Sequence, residues 1–163
     1  MRLLRHLFAR SSRSVYPEAS LQRIADAVHA AEQRHSGEIC FAVEASLPPL
    51  DVLRGMDART RAGHVFAQLR VWDTHANNGV LVYLLLADHR IEIVADRGLT
   101  PLVSAEQWRG VCQLMEERLK AGDAEDAAIA GVAAVSGLLA EHYPQVPGTP
   151  DENELPDMPR LLD

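Results

Sequence analysis

Seven polar residues in three short stretches carry most of the chemistry this sequence could perform: Glu38, Asp73, His75, Asn77, Asn78, Asp96 and Arg97. Glu38, Asp73 and Asp96, helped by amide and backbone oxygens at Asn77 and Asn78, are hard oxygen donors. Ca2+ takes such donors in sets of about six to eight, and Mg2+ takes fewer together with water. Those five residues are the candidate ligands for Ca2+ or Mg2+. Arg97 beside Asp96 offers a bidentate phosphate contact next to a carboxylate, and His75 is the histidine that falls in the proposed site loop. Asp96, Arg97 and His75 are therefore the candidate catalytic residues. Plainer roles compete: Asp73 precedes Thr74, where an Asx turn is common, and Asp96 can simply pair with Arg97. There is no EF-hand loop. No residue of the group is an evident nucleophile, so any phosphoester hydrolysis is expected to be slow.

Other reactive types lead nowhere. Cys112 and Arg118 have the spacing of a cysteine-phosphatase loop, but the pattern around them is helical, and a helix interior has no free N–H groups to cradle a phosphate. Cys40 and Cys112 make neither a disulfide framework nor a zinc site. Cys40, on a strand, is expected to be buried and inert. Glu32 and His35 share a helix face and read as a solvated pair, while His29, His64 and His142 need no more than surface or core explanations. Trp72, in the loop of His75, either lines a pocket or plugs the edge of the core.

Alternating elements must bring the three stretches together. The spacing of Leu21, Ile24, Ala25 and Val28 predicts a helix from Pro17 to His35, ended by Ser36-Gly37. Glu38 to Ala45 alternates, with Ile39, Phe41 and Val43 on one side, as a strand does. A second helix is expected from Val52 to Arg70, and the continuous apolar run Val80 to Ala87 predicts a strand covered on both faces. Asp88-His89 is read as the turn of a hairpin whose second arm is Arg90 to Ala95. Helices at Ser104 to Lys120 and Asp123 to Tyr143 follow.

This order predicts an α/β fold, a three-layer α/β/α sandwich around a small mixed sheet made of a parallel pair plus a hairpin strand. The helix between the first two strands makes a right-handed crossover. The starts of those strands and the end of the third then share one edge, which is where the seven polar residues converge. The organisation is a basic amphipathic segment (1–16), the α/β/α domain (17–143) and a Pro-rich acidic tail (144–163). Five of the nine prolines fall in that tail, so it is expected to be extended, either docking partly over a sheet edge through Leu155, Leu161 and Leu162 or remaining disordered.

With 163 residues, 47% hydrophobic and 24% charged, the chain has the profile of one globular domain. Arg2, Arg5, Arg10 and Arg13 lie at its start; taking those four from the net charge of −7 leaves −11 for the rest. A body so acidic repels nucleic-acid phosphates, which excludes nucleic acid as a partner. The longest apolar run has eight residues, Val80 to Ala87, far short of a membrane span. Arginines interrupt the apolar residues Leu3, Leu4, Leu7 and Phe8, so the first segment does not read as a signal peptide, and a cytoplasmic location is expected. Residues 1–13 form a frayed end, a helix docked on the domain, or a weak contact with an anionic membrane, peripheral at the inner membrane face.

Ser36-Gly37-Glu38-Ile39 before a strand, Asn77-Asn78-Gly79-Val80-Leu81 opening the next, Asp88-His89-Arg90 at the hairpin and Asp96-Arg97-Gly98-Leu99 after it come in one order and spacing. Together they resemble the TPM domain family, named for a thylakoid lumen acid phosphatase-like protein, a photosystem repair protein and a receptor modulator. The resemblance runs from about Leu21 to Tyr143. It implies an α/β/α sandwich and a part in assembling or maintaining membrane complexes, with Ca2+ binding in some members and acid phosphatase activity in some plant members. Where the family usually has an acid before Asn-Gly, this sequence has Asn77, one carboxylate fewer. The expectation is a non-catalytic binding or accessory module, possessing either a Ca2+ site or none, that serves a membrane or envelope process through a protein or membrane-complex partner. The alternative is a weak metal-assisted acid phosphatase.

Overall fold

Among the described residues, three of the four strands form where β-branched and aliphatic residues run together; the tail supplies the fourth. The computed structural model describes residues 1–150 and 152–163. Strands β1 (Glu38–Glu44), β2 (Gly79–Leu85), β3 (Arg90–Ala95) and β4 (Arg160–Leu161) lie in the order β3-β2-β1-β4. β1 and β2 are parallel, with Glu38 opposite Gly79, and β2 and β3 are antiparallel, with Val80 opposite Ala95. The helices are α1 (Arg2–Leu7), α2 (Ser12–Val15), α3 (Glu18–Glu32), α4 (Pro49–Leu53), α5 (Ala58–Gln68), α6 (Ala105–Lys120) and α7 (Ala124–His142).

Strand alternation sorts the side chains into two cores. Ile39, Phe41 and Val43 join Val80, Val82 and Leu84 against α3, α6 and α7. Cys40, Ala42, Leu81, Tyr83 and Leu85 point the other way and meet Val52, Ala62 and Val65 of α4 and α5. Both faces are covered, which makes the three-layer sandwich and explains why every residue of β1 and β2 is buried.

Local chemistry moves several boundaries. The helix expected from Val52 to Arg70 is two, because Gly55 takes φ +81° between α4 and α5. Asp57 then caps α5 by accepting the Thr60 N–H at 2.7 Å. The hairpin does not turn on Asp88-His89 alone: a short 3-10 segment, Leu86–Asp88, precedes His89 at φ +50°. A capping box between Ser104 and Gln107 starts α6.

Both termini dock. Arg2 of α1 holds Asp88 with Nη2 at 2.7 Å and Nε at 3.0 Å, and donates to the Met56 carbonyl at 2.7 Å. Buried His6 accepts the Leu47 N–H at 3.0 Å and sets its other nitrogen 3.1 Å from Asp88. Burial pushes the Asp88 carboxyl up, but Arg2 and His6 outweigh it and hold it below the usual range. Leu3 packs inward while Leu4, Leu7 and Phe8 stay exposed. At the other end Leu155 plugs the second core, and β4 pairs with β1 through Ala42–Arg160 and Val43–Leu161. The mixed sheet therefore has one strand more than the expected parallel pair plus hairpin strand. Asp163 closes the chain by accepting Ser12 N–H, Ser12 Oγ–H and Ala45 N–H at 2.7, 2.6 and 2.8 Å. Among the described residues no helix is long and apolar enough to cross a membrane.

Candidate functional site

Parallel β1 and β2 with antiparallel β3 put the start of β1, the start of β2 and the end of β3 at one edge, as the element order requires. Asp96 N–H donates to the Gly79 carbonyl at 2.9 Å, and Glu38 N–H to that of Asn78 at 3.4 Å. Glu38, Gly79 and Asp96 thus form one row across the sheet. Gly79 is required in the middle of it: the Val71 carbonyl oxygen lies 2.1 Å from where a Cβ would stand. The loop from Val71 to Asn78 therefore passes directly over the row, between the two acids.

Each expected ligand has a partner of its own. Glu38 is buried, and its carboxylate accepts the backbone N–H groups of Glu154 and Leu155 at 3.1 and 3.3 Å. Asp73 is exposed and bonded to Arg70 at 2.6 Å. Asp96 is buried, with Oδ1 accepting the Arg97 N–H at 2.7 Å. Asn77 takes φ +52°, a left-handed conformation that Asn tolerates better than most residues, and its Oδ1 accepts the Arg97 Nε–H at 3.2 Å. Asn78 is buried, donating from Nδ2 to the Ser36 carbonyl at 3.1 Å. His75 is exposed, and its backbone N–H donates to Glu154 at 2.8 Å. The tail thus covers the edge the sequence marks as a site. Trp72 does not plug the core: it is 48% exposed, with the Arg70 guanidinium 5.6 Å from its ring.

Three buried acceptors at this edge have no donor among the described residues: Asn78 Oδ1, Asp96 Oδ2 and His35 Nε2. The His35 ring sets Nδ1 3.0 Å from the Gly37 carbonyl, so that nitrogen carries the proton and Nε2 is a bare acceptor. Burial lowers the His35 pKa to about 4. Glu32 Oε1 accepts the Ile39 N–H at 2.9 Å. Burial raises its pKa to about 9; the Ile39 bond opposes this, and Glu38 and Asp157 add to it. The reading of Glu32 and His35 as a solvated pair is overturned, because the tail lies over them: Pro144 bridges to His35 and Asp157 reaches Glu32. The available signal was an acid in the last turn of a helix, where the macrodipole disfavours it. A second missed group lies beneath α5, where buried Glu44 accepts two bonds from Arg61 at 2.8 Å and one from the Tyr83 hydroxyl at 2.6 Å. No spacing in the sequence links those three.

Ca2+ needs six or more oxygens converging on one point. Among the described residues no three His, Cys, Asp or Glu side chains are grouped to hold a metal ion. As arranged, Glu38 is engaged by the tail and Asp73 by Arg70, while Asn78 Oδ1 and Asp96 Oδ2 are the expected ligand oxygens with no donor among the described residues.

The architecture has solved relatives. The BA42 protein of the psychrophilic bacterium Bizionia argentinensis, determined by NMR, is similar with a TM-score of 0.76 and 25% identity, over 95% of this chain and 97% of that one. The N-terminal domain of a P. gingivalis protein, also an NMR structure, shares the fold at a TM-score of 0.64 and 19% identity, over 83% of this chain and 85% of that one. No curated protein matches the sequence. The family model for the TPM domain matches residues 14–138, which takes in the sheet's first three strands and leaves α1 and the tail outside. The chain belongs to the TPM domain family.

Proposed function

We propose that this chain is a non-catalytic binding module, accessory to a membrane or envelope process. One observation carries the reading: most of the charged groups at the strand edge are tied to the chain itself, although Asn78 Oδ1 and Asp96 Oδ2 have no donor among the described residues. Glu38 holds the tail, Asp73 holds Arg70, and Arg97 is turned to Asn77. Phosphoryl transfer needs a poised nucleophile or metal-bound hydroxide and donors aimed at the transferring oxygens; this edge instead fastens loop, tail and sheet into one surface. The class of partner, a protein or a membrane complex, comes from the family resemblance.

Hydrolysis of p-nitrophenyl phosphate tests the reading, measured with Ca2+, with Mg2+ and after chelation. Wild type, Asp96→Asn and Arg97→Ala are all expected at background. Turnover by the wild type that disappears in both variants would replace the binding module with a metal-assisted acid phosphatase.

A further inference from the structure

A cleft of about 410 Å3 lies between the N-terminal segment, the β2–β3 hairpin and the α6–α7 turn. That is within the range of ligand sites, roughly 300–1,000 Å3. Its rim carries Arg5, Arg10, His89 and Arg90, and among the described residues no Asp or Glu lines it, in a chain of net charge −7. These cations are loosely held. Arg5 and Arg90 approach carboxylates at 3.9 and 3.8 Å, and Arg10 donates to the Ser14 hydroxyl. The walls are apolar, from Val15, Leu84, Leu86 and Leu119.

Beside the cleft the docked α1 turns apolar residues to solvent. Phe8, on the rim, is 81% exposed, and Leu4 and Leu7 are each 53% exposed. Leu4 and Leu7, three residues apart, lie on one stripe of α1 with Arg5 next to it, and exposed Phe8 follows at the helix's C-terminal end. α1 cannot roll this stripe inward, because Arg2 and His6 fix the opposite side to Asp88. An apolar stripe alone suits many partners; with cations and no acids at an apolar cleft, the complement is an anionic headgroup joined to an acyl chain.

We propose that this N-terminal face docks on an anionic bilayer. Phe8, Leu4 and Leu7 enter the boundary between headgroups and acyl chains, and Arg5, Arg10, His89 and Arg90 hold the phosphate of one lipid at the cleft. The inference deepens the reading of the chain as accessory to a membrane process and rests on it. It names the surface and the lipid chemistry.

The test is co-sedimentation of the full chain with vesicles of phosphatidylcholine alone or mixed with phosphatidylglycerol. Binding is expected to the anionic vesicles and not the neutral ones, weakening as salt is added. Arg10→Gln with Arg90→Gln is expected to lower the partition coefficient roughly 25-fold, about fivefold per arginine. Phe8→Ser is expected to lower it roughly tenfold. All three positions are exposed, so the melting temperatures of the variants should match the wild type and separate lost docking from lost folding. Equal binding to both vesicle types, or anionic binding that the double arginine variant retains, would overturn the proposal. So would the absence of vesicle binding in a protein that inorganic phosphate stabilises through the same arginines, which would mark a site for free phosphate. Phosphoester turnover is read at the opposite edge of the sheet, so it can refute the binding-module reading while the vesicle result stands, and the reverse.

Discussion

Glu32 stands at the C-terminal end of α3 under the tail, where burial above all, with Glu38 and Asp157, raises its pKa to about 9 from 4.5. Between those values the folded chain keeps a proton that the unfolded chain has released, so stability falls as pH rises, by about 1.4 kcal/mol per unit. Over about two units above pH 6.5 this is roughly 2.7 kcal/mol, or about 5–10 °C in Tm for a chain of this length. His35 works in the other direction. Burial lowers its pKa to about 4 from 6.5, so below pH 6.5 the unfolded chain binds a proton the folded one refuses, and stability falls as pH drops. The two slopes cancel between pH 4.5 and 6.5, leaving a plateau with a decline above it. Glu32→Gln keeps an acceptor for the Ile39 N–H, offers an amide hydrogen toward Asp157 and removes the titration. Melting followed by circular dichroism from about pH 6 to 9 should show the wild type losing stability and the variant holding level, with the variant the more stable at the alkaline end. Parallel curves for the two proteins would refute the proton-holding carboxyl.

Three further outcomes follow from the packing. Gly79→Ala brings a Cβ within 2.1 Å of the Val71 carbonyl, a backbone atom that cannot rotate away; a loss of about 3 kcal/mol in urea unfolding is expected, and an unchanged midpoint would contradict the close approach. Arg61→Met leaves Glu44 buried without its cation, at about 3–5 kcal/mol near neutral pH. Adding Glu44→Gln to that variant should recover part of the deficit, and a double variant no more stable than Arg61→Met would count against an unpaired charge. Asp163→Ala removes the acceptor for Ser12 and Ala45, so amide exchange at Ala45 and Leu162 should accelerate by about tenfold or more, while unaltered exchange would show that β4 holds without its clamp.

The layers and the edge were legible because they follow from periodicity and element order. The continuous run of β2 requires cover on both faces, and a helical crossover followed by a hairpin leaves a single way to bring Glu38, Asn78 and Asp96 to one end of the sheet. The break in the Val52-to-Arg70 helix was less legible, since Gly55 is tolerated inside many helices and its left-handed φ shows in the fold alone. Trp72 was ambiguous for the same kind of reason: its loop position allowed either burial or the exposed stacking under Arg70 that the chain adopts. The path of the tail was the least legible feature, because prolines and acids describe an extended segment without saying where it lies.

What the sequence determined by itself is the short-range content: amphipathic stripes, a two-sided strand run, caps and turns, each set by residues within a few positions of one another. Its motifs also sufficed to place it in the TPM domain family. The tertiary structure alone decided which acids are spoken for. Glu38 meets the N–H groups of Glu154 and Leu155, Glu44 meets Arg61 and Tyr83, and Arg2 meets Asp88. A carboxylate's chemistry depends on what surrounds it within a few ångströms, and for these residues the surroundings come from chain segments 17 to 117 positions away.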